Sequence, residues 1–350
     1  MKCYFLRKNS STVALNGLPV RASHASGAAF GAVRGAILIG AVLSVFSFGL
    51  LPGIASASPF AYVPNEKSGT ISIIDTANDT VVGEIKAGTK PRGLAVRHDG
   101  KALYVSDQPT NSLLIVDLGS RAVVGSVAVG ESPEGVGISP AGDWIVAASE
   151  ITNSVNFIST ATNKQEFIIK TKGKNPEHAE FSPDGKWLYV SAEEADSIDI
   201  IDMTKREQVD LVKLGKRPRG IAFTPDGTRA YIAAELESMV YVVDVATHKV
   251  IAQVKAGTFS NGVTMAPNGK RVYISNGKDF TVSVIDTATN TVVATVPVGK
   301  RPWNMAITPD GKKLYVANGR SNSVSVIDTD TNLVSKEIPV GELPWGVAIR

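Results

Sequence analysis

From residue 58 onward the chain alternates apolar and polar positions with a period of two, in short runs separated by Gly, Pro, Asp and Asn. One apolar run, Gly220-Ile221-Ala222-Phe223, leads into the turn Pro225-Asp226-Gly227 and a second run around Tyr231-Ile232-Ala233. A third, Val282-Ser283-Val284-Ile285-Asp286, ends in aspartate, and the turn Thr287-Ala288-Thr289-Asn290 opens a β-branched fourth, Thr291 to Val298. Alternation, β-branching and glycine punctuation predict strands, and no stretch of this region carries a helical period. The four-strand pattern then repeats. The segment Gly299 to Asn318 recurs in altered copies whose opening glycines are Gly88, Gly130, Gly173, Gly215, Gly257, Gly299 and Gly341, spaced 42 or 43 residues apart. A four-stranded unit cannot bury both faces by itself. Copies stacked around an axis can, which predicts an all-β propeller with four antiparallel strands per blade.

The second strand counts the blades. Its tyrosine stands at Tyr62, Tyr104, Tyr189, Tyr231, Tyr273 and Tyr315, with Val146 in the seventh slot. The repeats begin in a second strand, Phe60-Ala61-Tyr62-Val63, and stop after a first, Trp345 to Arg350. The last strand is therefore expected to join the first three in a 3+1 clasp that closes a seven-bladed ring and removes its free edges.

Residues 1–57 do not fit this pattern. They hold Lys2, Arg7, Lys8, Arg21 and Arg34 with no acid, then an uncharged apolar stretch from Gly35 to Leu51 and a small-residue Ala55-Ser56-Ala57 site. This reads as a cleaved secretory leader, with a mature chain from Ser58, a propeller over 58–350, no membrane span after cleavage, and a periplasmic or secreted location. The leader also carries the excess charge. Of 36 basic residues against 33 acidic, the five basic ones leave with it, so the remainder is slightly acidic. That removes the long-range attraction to phosphate on which nucleic-acid binding depends. Cys3, the single cysteine, lies in the leader as well, so no disulfide is available.

Tyr62-Val63-Pro64-Asn65, Tyr104-Val105-Ser106-Asp107, Tyr273-Ile274-Ser275-Asn276 and Tyr315-Val316-Ala317-Asn318 resemble the Tyr-Val-Thr-Asn signature of YVTN-type repeat propellers. With the segment Pro176 to Gly185, the layout is further similar to propellers associated with pyrroloquinoline-quinone (PQQ)-dependent alcohol catabolism. That resemblance implies a non-enzymatic binding or scaffolding protein without a cofactor of its own, working beside a periplasmic quinoprotein dehydrogenase or holding a small anionic or quinone ligand. Seven-bladed lactonases share the repeat style and supply the alternative, a hydrolase. A nucleic-acid or surface-adhesion propeller is the third reading.

Antiparallel order puts the first-to-second and third-to-fourth turns on one face. That face is uniform, and turn chemistry accounts for it, including Asp75, Asp117, Asp202, Asp244, Asp286 and Asp328 as turn caps. The opposite face varies. Four residues after each opening glycine stand Arg92, Glu134, Glu177, Arg219, Asn261, Trp303 and Trp345, expected to ring the mouth of an axial channel. The next position is glycine in five copies, expected where the backbone turns tightly, but His178 and Asn304 in the other two. Glu150, Glu193, Glu194 and Glu235 in the second-to-third loops, beside Glu134 and Glu177, predict an acidic sector facing an aromatic and basic one of Trp303, Trp345, Arg301 and Arg92. The alternative is that neighbouring charges screen one another on a solvated rim.

Motifs for covalent haem, zinc, phosphate loops and nucleophile elbows are absent from the sequence. No metal site and no catalytic residue is assigned. His98 and His248 fall in turns and are expected to be solvated. His178, flanked by Glu177 and Glu180, is the one histidine expected at the mouth, as a weak metal ligand, a base or a satisfied polar residue.

Overall fold

The computed structural model describes residues 59–350; the expected leader lies outside the described residues. Seven four-stranded antiparallel sheets are arranged about one axis. Blades 2 to 7 span residues 91–128, 133–170, 176–213, 218–255, 260–297 and 302–339. Blade 1 combines Phe60–Asn65, Thr70–Asp75 and Thr80–Lys86 with the C-terminal Ala348–Ile349 as its innermost strand. The clasp is antiparallel, with Ala61 opposite Ile349 and Tyr62 opposite Ala348. Backbone bonds extend it: Phe60 N–H donates to Arg350 at 2.9 Å, and Trp345 N–H donates to Pro64 at 3.0 Å.

The apolar core lies between blades. Each of the seven clusters of buried side chains draws on two adjacent sheets: Val146, Phe157, Phe181 and Leu188 fill the space between blades 3 and 4, and Ala61, Ile74, Tyr315 and Val326 that between blades 1 and 7. The second and third strands are covered on both faces, while the outermost strand is largely exposed, with at most a single buried residue near its end.

The repeated tyrosine also links the blades. Tyr104 donates its hydroxyl to Asn163 of the next blade at 2.6 Å, Tyr231 to Asn290 at 2.8 Å, and Tyr315 to Asp79 across the closure. Asn163, Asn290 and Asp79 sit in the left-handed region at the third-to-fourth turn, a conformation that Asn and Asp tolerate. The corresponding residue for Tyr189 is His248, and the Tyr189 hydroxyl is left without a partner. His248 is therefore not a solvated turn residue. It packs edge-on against Trp187 at 4.8 Å and faces Asp210 at 3.3 Å.

The third-strand aspartates are turn caps, as expected. Asp244 accepts from Thr247 N–H at 2.8 Å and Asp328 from Thr331 N–H at 2.8 Å. The only helical features among the described residues are single 3-10 turns at Gln108–Thr110, Glu193–Ala195 and Glu235–Glu237.

Candidate functional site at the channel mouth

The first strand of every blade lines the axis and enters it from the varied face. In blades 2 to 7 its pairing with the second strand is broken by a bulge; in blade 2, Pro91 pairs with Asp107 and Leu94 with Val105, leaving Arg92 and Gly93 out of register. The same break falls at Glu134/Gly135, Glu177/His178, Arg219/Gly220, Asn261/Gly262 and Trp303/Asn304. A bulge re-aims side chains, and here it turns the variable residue toward the axis. Second-strand serines hold three of these bulges: Ser106, Ser191 and Ser275 accept from the N–H groups of Gly93, His178 and Gly262 at 2.8–3.0 Å.

The glycines of this strand are not there for a tight turn. None of the five has a positive φ. A Cβ on Gly135 or Gly262 would lie 2.5 Å from the carbonyl oxygen of Glu177 or Trp303 in the next blade, so glycine is required because the inner strands pack backbone to backbone. His178 and Asn304, the two departures, both line the small cavity just beneath the mouth. The His178 ring also stacks on Trp345 at 5.7 Å. Together the three narrow the channel below the mouth.

Above this waist is a cavity of 360 Å³. Arg92, Glu134, Glu177, Arg219, Asn261, Trp303, Asn304 and Trp345 all contribute to its wall. His178 does not; it faces a smaller cavity beneath, and burial holds its pKa below the usual imidazole value, so the ring is neutral near neutral pH. Lys90, Gln108, Asn175 and Arg217 line the mouth without having been singled out in the sequence. Lys90, Asn175 and Arg217 share a signal that could have found them: like Arg301 they stand two residues after an opening glycine, where the backbone is left-handed in every copy but that of Lys90. Glu194 is not part of the wall.

The charges do not separate into sectors, nor do they form a solvated rim. They interleave as buried ion pairs. Arg92 binds Glu134 and, at 3.2 Å, Glu66, which also meets Lys90 at 3.2 Å. On the other side Arg219 binds Glu177, reaches Glu193 at 3.3 Å and Glu235 at 3.1 Å, while Arg301 takes the second oxygen of Glu235 at 3.0 Å. Glu134, Glu177 and Glu235 are 1%, 3% and 0% exposed. Buried carboxylates need such partners, because an unpaired one carries a desolvation cost of several kcal/mol. Arg217 hydrogen-bonds Glu193 through Nε and pairs with Glu235 at 3.5 Å, and its terminal nitrogens make no hydrogen bond among the described residues. Trp303 and Trp345 both line the cavity.

Two carboxyl groups on the wall differ sharply in proton affinity. Burial opposes ionisation of Glu177, but the charge of Arg219 and the proximity of His178 outweigh it and hold the group well below the usual carboxylate range. Glu193, whose carboxyl lies within 4.8 Å of that of Glu177, goes the other way: burial and the Glu177 charge push it up to about 7. Burial also raises Glu150, which accepts from Ser132 Oγ at 2.6 Å. Oxygens of Glu150, Glu177 and Glu193 lie within 4.8 Å of one another, a spacing that a divalent cation could span. Arg219 already supplies positive charge to two of the three.

A family model described as lactonase, 7-bladed beta-propeller, matches residues 170–336, a little under half of the chain. A search of curated proteins finds no match. Among solved structures, the chain is similar to Kuenenia stuttgartiensis hydrazine synthase (24% identity, TM-score 0.72, covering 80% of this chain and 99% of that one). It is also similar to a proposed 6-phosphogluconolactonase from Bacteroides fragilis (22%, TM-score 0.72, 85% and 99%) and to a Desulfotomaculum acetoxidans protein of unknown function (18%, TM-score 0.74, 83% and 99%). At these identities the likeness establishes the seven-bladed fold.

Proposed function

We propose that the mouth hydrolyses the ring ester of a polyhydroxylated lactone, with Glu193 as the general base. The observation that carries this is the Glu177–Glu193 pair. Two carboxyls within 4.8 Å of each other whose proton affinities are driven apart provide one permanently ionised group and one that titrates near neutrality, as acid–base catalysis requires. The match to a lactonase family model over residues 170–336, which contain both residues, supports the same reading. Both favour hydrolysis over the accessory role beside a quinone-dependent dehydrogenase that the repeat resemblance implies.

The cavity is within the usual range of small-molecule sites, about 300–1,000 Å³. Trp303 and Trp345 offer flat surfaces to a sugar-like ring, and Asn175, Asn261 and Asn304 offer hydrogen bonds to its hydroxyls. Ionised Glu193 takes a proton from water as the oxygen attacks the lactone carbonyl. The terminal nitrogens of Arg217 then face the oxyanion that develops. Collapse breaks the ring carbon–oxygen bond, and the proton returns from Glu193 to the leaving alkoxide, giving the open hydroxy acid.

The test is acid release from D-glucono-1,5-lactone and its 6-phosphate, followed with a pH indicator and corrected for spontaneous hydrolysis. Glu193→Gln is expected to lower kcat by about 10²–10⁴. The wild-type rate should rise with pH through about 7 as Glu193 ionises. Lactone rates no faster than spontaneous hydrolysis, or an unchanged Glu193→Gln rate, overturn the proposal.

A further inference from the structure

Below the His178–Trp345 waist the channel opens again toward the face of the uniform turns. A cavity of 180 Å³ gives way to one of 450 Å³, and Glu180, Ile221, Val263 and Met305 belong to the walls of both. The side chains around the larger cavity are mostly apolar, Ile138, Phe181, Phe223, Met265 and Ile307 among them, while about half of its surface is polar. Thr264 contributes a hydroxyl, but it is already donated to Met305 O at 2.9 Å.

Glu180 is the one charged residue in these two walls, and His178 the one other titratable group. Its carboxyl makes no ion pair and no hydrogen bond among the described residues, although the channel leaves it open to solvent. It is also foreign to the repeat. Seven residues after the opening glycine the other copies have Ala95, Gly137, Ala222, Thr264, Ala306 and Ala348, small residues that keep the axis open. No turn or packing requirement asks for a carboxylate there.

From this placement we infer that the channel end opposite the mouth is a second binding site, in which Glu180 receives the ammonium group of an apolar amine while the surrounding aliphatic and aromatic side chains hold its hydrocarbon part. An anion would meet the carboxylate head-on. A neutral apolar guest would desolvate it without compensation, and a divalent cation would find a single carboxylate. An ammonium ion with an apolar body satisfies both the charge and the walls. The channel walls crowd around the carboxyl and push it up to about 7 although its surface stays accessible through the channel, the behaviour of an acid with no partner of its own. The site is independent of the hydrolysis proposed for the mouth.

The experiment is calorimetric titration of the full chain with 2-phenylethylamine, protonated at about pH 8, in parallel with the neutral 2-phenylethanol. The amine is expected to bind at least about tenfold more tightly than the alcohol, one carboxylate–ammonium pair supplying the difference. Glu180→Gln should remove that preference and leave alcohol binding unchanged; Glu180→Ala, which restores the residue of the other copies, should do the same and keep lactone turnover. Amine affinity should fall as pH drops through about 7, where Glu180 takes up a proton; His178, held below the usual imidazole value, charges only in more acid solution. Glu193→Gln separates this site from the mouth, and it should leave the amine affinity intact. No amine binding, equal binding of amine and alcohol, or a preference that survives Glu180→Gln overturns the inference.

Discussion

Replacing Arg219 with methionine tests whether the mouth is a buried ion network. The substitution keeps most of the aliphatic volume and removes the guanidinium, which is 12% exposed and serves Glu177, Glu193 and Glu235. Glu235 keeps Arg301 and Arg217, and Glu193 keeps Arg217. Glu177 keeps no cation. Breaking a buried pair on one side costs about 3–5 kcal/mol, whereas an exposed pair contributes about 0–1 kcal/mol. At roughly 2 °C per kcal/mol for a chain of this size, the melting temperature should fall by about 6–10 °C at neutral pH.

The sign with pH follows from Glu177. Its folded pKa is depressed, so its contribution to stability is present above the unfolded value of about 4.5 and is lost as pH falls through the folded one. Without Arg219 burial dominates, the group becomes easier to protonate, and the deficit should shrink in acid. Urea unfolding of wild type and variant at about pH 7 and about pH 4 reads this directly, and adding Glu177→Gln should recover a large part of the loss. A loss under about 1 kcal/mol, or one equal at both pH values, would refute the buried-network account.

Other expectations follow from the ring itself. Tyr231→Phe should cost about 1 kcal/mol in urea unfolding, whereas Tyr189→Phe, which removes a buried hydroxyl without a partner, should cost nothing or stabilise; equal losses would deny the tyrosine links a role. Gly135→Ala places a methyl 2.5 Å from the Glu177 carbonyl and should lower stability by about 1–3 kcal/mol, and a neutral result would show that the inner strands are not in such close contact. Truncation after Gly341 removes the clasp strand and exposes the edge of Phe60–Asn65, so light scattering should show aggregation and calorimetry a lower melting temperature; unchanged behaviour would contradict the closure.

The ring was legible because it depends on local, repeated requirements. Opening glycines count the copies, Asp244 and Asp328 cap the same turn, and the split at Phe60 and Arg350 announces the clasp. The mouth was legible only as a set of positions. Which residue differs from copy to copy identifies Arg92, Glu177 and Trp303, but charge pairing depends on distances between blades, and alternation carries no such distances. Thus Arg301, read as part of a basic sector, reaches Glu235 two blades away. His178 was placed at the mouth because it follows Glu177, yet the bulge sends the two side chains to different levels of the channel. Glu180 was read only as a flank of His178, although small residues occupy its position in the six other copies.

The 3+1 clasp also sets the order in which the molecule can be completed. Blade 1 lacks its innermost strand until the final residues, some 280 positions after Tyr62, come into place. Contacts that distant in sequence form slowly, since the loop entropy must be met before the pairing compensates. Six blades can assemble in turn as the chain emerges, each against the one before it. The first blade presents an open strand edge throughout that interval, and the molecule becomes a closed ring only when its last few residues dock on its first.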